Sequence, residues 1–205
     1  PCLRLFGAKH PLLQLDENTQ AVGNNIELKD GQKSLVVSGP NAGGKTVVLK
    51  TVGLLHLMAK AGLLLPVTDH SEIYLFSNVW VEVGDAQNLE ANLSTFSGHL
   101  MGLKPILQGA KSDSLVLLDE LAVGTDPQTG QAIGQAVLEE LANKDTISVV
   151  TTHFDNLKGL AEGNDVFRNG SMEFSKKNLK ATYKLVLDIP GQSFGIEVAE
   201  NLGLP

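Results

Sequence analysis

The sequence predicts an α/β domain with a mainly parallel central sheet flanked by helices and an antiparallel β portion. Three observations predict it. Short apolar runs alternate with segments of helical spacing, the pattern of a layered sheet with covered faces. Gly39-Pro40-Asn41-Ala42-Gly43-Gly44-Lys45-Thr46 joins one apolar run to a helix and fits G-x-x-x-x-G-K-[ST], the phosphate-binding loop. A second run, Leu115-Val116-Leu117-Leu118, ends in Asp119-Glu120.

The first 25 residues are loosely patterned. Ile26-Glu27-Leu28 and Leu35-Val36-Val37 flank Lys29-Asp30-Gly31-Gln32, which predicts a hairpin through an Asp-Gly turn. Val47 to Ala61 carries Val48, Val52, Leu55 and Ala59 at helical spacing, and Gly62 and Pro66 end it. Glu72 to Phe76 and Val79 to Val83 read as strands. Phe96 to Ala110 reads as a helix, with Pro105 a candidate position for a kink or break. Pro127 to Ala142 reads as a helix with Asp126 as N-cap and Pro127 in its first position. Thr146 to Thr151, Ser171 to Phe174 and Thr182 to Leu187 read as strands. A last helix is expected near Phe194 to Asn201.

Bulk properties narrow the function. The chain has 205 residues, 42% hydrophobic and 19% charged, enough for one sizeable core. A net charge of −7 argues against a broad phosphate-binding face, so contact with nucleic acid is expected to fall to other parts of the protein. The single Cys2 cannot form an internal disulfide, which fits a reducing, cytoplasmic location. No signal peptide or bilayer-length apolar run is present. The chain starts at Pro1 and reads as a piece of a longer polypeptide.

The chemistry gathers around the glycine loop. Its glycines let backbone N–H groups face phosphate oxygens, and the helix that follows adds its positive dipole end. Lys45 would reach the β and γ phosphates, and the Thr46 hydroxyl would hold Mg²⁺. A chance match is expected in roughly one per cent or fewer of chains this long, and the strand and helix flank the loop as the motif requires. Asp119 would hold Mg²⁺, and Glu120 would polarise the attacking water as general base. Two acids at a strand end are otherwise ordinary solvated residues, but beside a phosphate loop that reading weakens. His153, in Thr151-Thr152-His153, ends the next strand, near the γ-phosphate. Asp126, in Gly124-Thr125-Asp126-Pro127, caps a helix. Ser94 or Thr95 either caps the helix that follows or faces a phosphate held by another subunit, and the pattern alone does not choose.

Taken in order, the glycine loop, Gly84-Asp85-Ala86-Gln87, Ser94-Thr95-Phe96, Asp119-Glu120 with Gly124-Thr125-Asp126-Pro127, and Thr152-His153 resemble the ATPase domain of the MutS family. The resemblance covers nearly the whole chain, from Lys9-His10-Pro11-Leu12-Leu13 to Gly203-Leu204-Pro205. Ala42, a single Thr46 and Ser94-Thr95-Phe96-Ser97-Gly98-His99 are similar to the second bacterial branch, whose members usually end in an Smr nuclease domain, rather than to the mismatch-sensing branch.

The resemblance implies a P-loop NTPase of ABC type, residues 1–205 forming one domain. Residues 1–34 would be its N-terminal β portion, and 188–205 a C-terminal helix leading to a dimerisation element. It implies use of ATP, ADP and Mg²⁺, and a head-to-tail homodimer in the full-length protein. Through domains outside this segment it implies action on branched or mismatched DNA, with suppression of recombination, in the bacterial cytoplasm or nucleoid. Carried over by position, Gly39, Pro40, Asn41, Ala42, Gly43, Gly44, Lys45 and Thr46 bind ATP. Thr46 and Asp119 hold the metal, while Lys45, Glu120 and His153 serve catalysis. Ser94 acts in trans, and Asp85, Gln87 and Asp126 couple nucleotide state to the rest of the molecule. Where mismatch-sensing relatives stack an aromatic on adenine, this chain has Ala21-Val22-Gly23, so Val22 would pack on the base. Ala122-Val123 stands where the branch commonly has Gly-Ala. An alternative places the same ATPase on stalled ribosomes. An ABC-transporter or SMC-type ATPase fits less well, because L-S-G-G-Q is missing. Intact Lys45, Asp119 and Glu120 argue against a module that binds nucleotide without hydrolysis. His10, His56, His70 and Trp80 read as structural, whereas His99, one turn into its helix, could touch a partner.

Overall fold

The computed structural model describes residues 1–83, 95–154, 157, 159–160, 163–175 and 180–189. In chain order these form β1 (Leu3–Ala8), α1 (Pro11–Leu15), β2 (Asn24–Leu28), β3 (Ser34–Ser38), a 3-10 turn (Asn41–Gly43), α2 (Lys45–Lys60), β4 (Glu72–Ile73), β5 (Asn78–Glu82), α3 (Thr95–Gly109), β6 (Ser114–Leu118), α4 (Pro127–Asn143), β7 (Ile147–Thr151), β8 (Phe167–Ser175) and β9 (Lys180–Leu187).

The main sheet runs β5-β6-β7-β3-β8-β9. Its first five strands are parallel, and β9 returns antiparallel on β8. The fold is thus α/β with a mixed sheet. Every residue of β3, β6 and β7 is buried, as a sheet covered on both faces requires. Alternation along each strand sorts the side chains into two cores. Leu35, Val37, Leu115, Leu117 and Val149 meet Val48, Leu49, Val52 and Leu55 of α2 on one face. Val36, Val116, Leu118 and Val150 meet Leu103 and Ile106 of α3 and Val137, Leu138 and Leu141 of α4 on the other. Each fully buried aliphatic side chain contributes about 1.5–3 kcal/mol, so these cores fix which helix lies on which face.

A small antiparallel sheet, β2-β1-β4, covers the α2 side, where Leu3, Leu5, Ile26 and Leu28 join the first core. Two polar clamps join it to the main sheet. Asn24 donates its Nδ2 to the Tyr183 carbonyl at 3.0 Å and accepts the Leu185 N–H at 2.7 Å. Arg168, only 5% exposed, donates to the Glu27 carbonyl at 2.8 Å and to both Asp188 oxygens at 2.8 Å.

Several expectations change. Ile26-Leu28 and Leu35-Val37 do not form a hairpin. The turn between them exists, closed by Gln32 N–H to Lys29 O at 3.0 Å, but β2 pairs with β1 while β3 pairs with β7 and β8. β3 is apolar on both faces and belongs between two parallel partners, whereas β2 buries only alternate residues and suits a one-sided sheet. The strand expected over Glu72 to Phe76 shrinks to Glu72–Ile73, because Phe76 turns inward to full burial. Pro105 does not break α3. Leu103 and Ile106 pack into the core on either side of it, and that burial outweighs a helix-interior proline cost of about 3 kcal/mol. The loosely patterned start contains β1 and α1. The helix expected near Phe194 to Asn201 lies outside the described residues.

The Arg168 clamp carries a pH signature. Hydrogen bonds from Arg168, against a modest opposing effect of burial, hold the Asp188 carboxyl down at about 2. A depressed carboxylate stabilises the fold above its unfolded value of about 3.9, and that stabilisation disappears as pH falls through about 2. In urea titrations of this chain, Asp188→Asn is expected to be less stable than wild type at pH 7. The gap is expected to narrow steadily between about pH 4 and pH 2. A gap that stays constant over that window would remove Asp188 from the acid response.

Candidate nucleotide site

The C-terminal ends of the parallel strands share one sheet edge. Glu82 pairs with Leu118, Leu118 with Val150, and Val37 with Thr151. The segments that follow β3, β6 and β7 therefore emerge side by side, although they are far apart in sequence.

After β3, Gly39 adopts φ +121, and a Cβ there would lie 3.1 Å from the Met172 Cβ on β8. Pro40 is extended, and the Asn41–Gly43 turn closes with Gly43 N–H to Pro40 O at 2.9 Å. Gly44 takes the left-handed φ of +96 and starts α2, with no side chain capping the helix. The first N–H groups of a helix have no intrahelical acceptor, and an anion suits them. Ala42 is exposed on the loop. Lys45 is 2% exposed and donates from Nζ to the Gly39 carbonyl at 2.7 Å, so its ammonium folds back over the loop.

After β6, the Asp119 carboxylate is gripped on both oxygens. Thr46 Oγ1 donates to Oδ2 at 2.7 Å, and Thr151 Oγ1 donates to Oδ1 at 2.5 Å. Asp119 is 8% exposed. Glu120 then takes a left-handed φ of +49, and its N–H donates to Thr151 Oγ1 at 2.8 Å. The Glu120 carboxylate meets His153 Nε2 at 3.0 Å. Thr152 Oγ1 accepts the Phe154 N–H at 3.0 Å and so turns the chain around His153. A hydroxyl and a carboxylate held together are hard oxygen donors. Mg²⁺ usually takes only one or two protein carboxylates and completes its shell with phosphate and water. Thr46 and Asp119 fit that ion, and among the described residues no cluster of three or more His, Cys, Asp or Glu competes for it.

Beside the loop, on the Gly44 and α2 side, a cleft of about 210 Å³ is lined by Val22, Ala21, Ile26, Val47, Val48 and Tyr183, among others. Val22 therefore lines this cleft together with Tyr183. Asp126 caps α4, accepting the Thr129 N–H at 3.0 Å, and this bond holds its carboxyl below the usual range. The predicted residues Ser94, Asp85 and Gln87 lie outside the described residues.

Three features escape the sequence reading. Tyr183, with φ +59, joins the cleft from β9, a strand far along the chain with no motif of its own. Thr151 joins Asp119 to Glu120, and the only sequence signal was a hydroxyl at the end of an apolar strand. His99, 8% exposed, meets Glu82 Oε1 at 3.2 Å and pins α3 to β5. Burial pushes the Glu82 carboxyl up against the pull of His99. His56 and Trp80 take the structural places expected of them, His56 fully buried in tilted contact with Phe76 and Trp80 packed against the second core.

Comparison with known proteins gives one family match, MutS domain V, over residues 35–205. Endonuclease MutS2 of Thermomicrobium roseum is 49% identical over 203 residues, which is 99% of this chain and 25% of that protein. The proteins of the same name from a Geobacillus species and from Clostridium novyi are 46% and 45% identical, over 98% of this chain and 25% of theirs. The chain thus spans about a quarter of the length of the curated relatives it matches. By this match and by residues that converge on one sheet edge, the chain belongs to the MutS family, as a MutS domain V of the MutS2 branch.

Proposed function

We propose that this domain is an ABC-type, Mg²⁺-dependent ATPase that powers conformational change in a MutS2-type protein acting on branched DNA. The observation that carries the reading is the contact chain Thr46–Asp119–Thr151–Glu120–His153 beside an uncapped helix and a buried lysine. That arrangement serves phosphoryl transfer, in which positioning and charge stabilisation do most of the work.

Each residue has a definite task. The N–H groups of Gly44 and Lys45 and the α2 N-terminus face the phosphates, while the Gly43 N–H closes the loop on the Pro40 carbonyl. The Lys45 ammonium exchanges its carbonyl partner for phosphate oxygens, which are anionic acceptors and bind it more strongly. Thr46 and Asp119 would hold Mg²⁺, which would supply positive charge against the phosphate oxygens. Glu120 takes a proton from the attacking water, and His153 holds the Glu120 carboxylate from the other side. Val22 packs on the base. Ser94 completes the partner's site in a head-to-tail homodimer, and Asp85, Gln87 and Asp126 report nucleotide state to the rest of the protein. DNA contact and any nuclease activity fall to parts of the protein beyond this segment. The MutS2 relatives, which carry the name endonuclease, support that reading, and so does the acidic balance of this chain.

Lys45→Ala is expected to weaken ATP binding by about 10- to 100-fold, the loss of a charge-assisted contact, measured by equilibrium titration. Wild-type affinity would displace Lys45 from the phosphates. Glu120→Gln is expected to bind ATP normally and lose about 10²- to 10⁴-fold in turnover, measured as phosphate release by the full-length dimer. Turnover near wild type would refute the base assignment. Loaded with ATP, that same variant is expected to retain a four-way DNA junction over a mismatched duplex in competition binding, and the reverse order would exclude branched DNA as its target.

A further inference from the structure

We propose that Thr151 is a positioning residue for ATP hydrolysis, a single hydroxyl that sets both the metal-holding and the proton-accepting carboxylates. The inference rests on the ATPase reading above and adds a residue to it.

Thr151 is the last residue of β7 and is fully buried. The two residues before it, Val149 and Val150, are apolar and fully buried as well. A valine at 151 would suit this strand equally in shape and β propensity. A buried hydroxyl is costly unless hydrogen-bonded, so the sheet alone gives no reason for one here. Its reason lies across the strand ends. The hydroxyl donates its proton to Asp119 Oδ1 at 2.5 Å and accepts the Glu120 N–H at 2.8 Å. One hydroxyl has one proton to give and lone pairs to receive with, so the two bonds are compatible and directional.

The backbone explains why this matters. Glu120 has φ +49, and a non-glycine residue in the left-handed region costs roughly 1–2 kcal/mol. That conformation turns the Glu120 side chain out of the strand direction and toward His153. Two bonds to the same residue hold it there: Glu120 N–H to the Thr151 hydroxyl, and Leu121 N–H to the Thr151 carbonyl at 3.0 Å. Asp119 is fixed at the same time, between Thr151 on one oxygen and Thr46 on the other. Without the Thr151 hydroxyl, Asp119 keeps one described side-chain partner and the Glu120 amide loses its own. Two carboxylates with different tasks would lose their common reference point.

The test uses full-length protein with Thr151→Val, which keeps shape and removes the hydroxyl, and Thr151→Ser, which keeps the hydroxyl. Three quantities are read. The first is hydrogen exchange at the Glu120 amide, without metal or nucleotide. The second is affinity for a fluorescent ATP analogue in EDTA, and the third is kcat for ATP. For Thr151→Val we expect Glu120 exchange to speed up at least tenfold, EDTA affinity to stay within about twofold, and kcat to drop about 10- to 100-fold. Thr151→Ser should stay near wild type in all three. Unchanged exchange and kcat in the valine variant overturns the proposal. So does a serine variant as impaired as the valine one, and so does a parallel loss of affinity, which marks a general structural role. Should the valine variant fail to fold, Thr151→Ala takes its place in the same measurements. Wild type and Glu120→Gln run alongside. If wild type does not hydrolyse ATP, or Glu120→Gln does so normally, the ATPase reading fails, and the exchange measurement alone then decides whether Thr151 holds Glu120.

Discussion

Burial of three adjacent parallel strands on both faces is the constraint on which the rest of this molecule depends. β3, β6 and β7 expose no side chain, so helices must cover both surfaces, and the strand ends are the only places where polar groups can reach solvent. Parallel strands place their C-terminal ends on one edge. The glycine loop, the paired acids and the Thr-Thr-His segment are therefore neighbours by topology, before any contact between them is considered.

At that edge, polar groups satisfy one another. Asp119 is nearly buried and would be costly alone. Thr46 from the first turn of α2 and Thr151 from the end of β7 donate to it, and the same Thr151 hydroxyl accepts the following amide. Lys45 is buried under its own loop and rests on a backbone carbonyl. The loop, the helix start and the acids thus form one polar layer on top of two apolar ones. A second polar junction, from Arg168 and Asn24, fastens the small antiparallel sheet to the edge of the large one. That junction shapes the cleft, since Val22 comes from the segment before β2 and Tyr183 from β9.

Legibility followed the range of the interaction. The glycine loop, α2, β6 with its acids, and α4 with its Asp126 cap were readable because each is set by residues within one or two turns. The hairpin between β2 and β3 was misread for the opposite reason. The Asp-Gly turn is real, but a turn does not choose partners, and the fully apolar β3 has two better ones in the parallel sheet. Pro105 lies inside α3 without ending it, because helix propensity is local while the burial of Leu103 and Ile106 is not. Within the site, Lys45, Thr46, Asp119, Glu120 and His153 carried motif signals. Thr151, Tyr183 and the Glu82–His99 contact carried none, since their partners lie on distant strands.

By itself the sequence determined the class of fold, the phosphate loop, the acids and the family, because backbone geometry and charge at short range allow few alternatives there. Tertiary structure alone decided which strands pair, which face each helix covers, and which hydroxyl stands between Asp119 and Glu120. Those outcomes depend on burial and hydrogen-bond competition among segments far apart in the chain, and no local pattern encodes the winner of that competition.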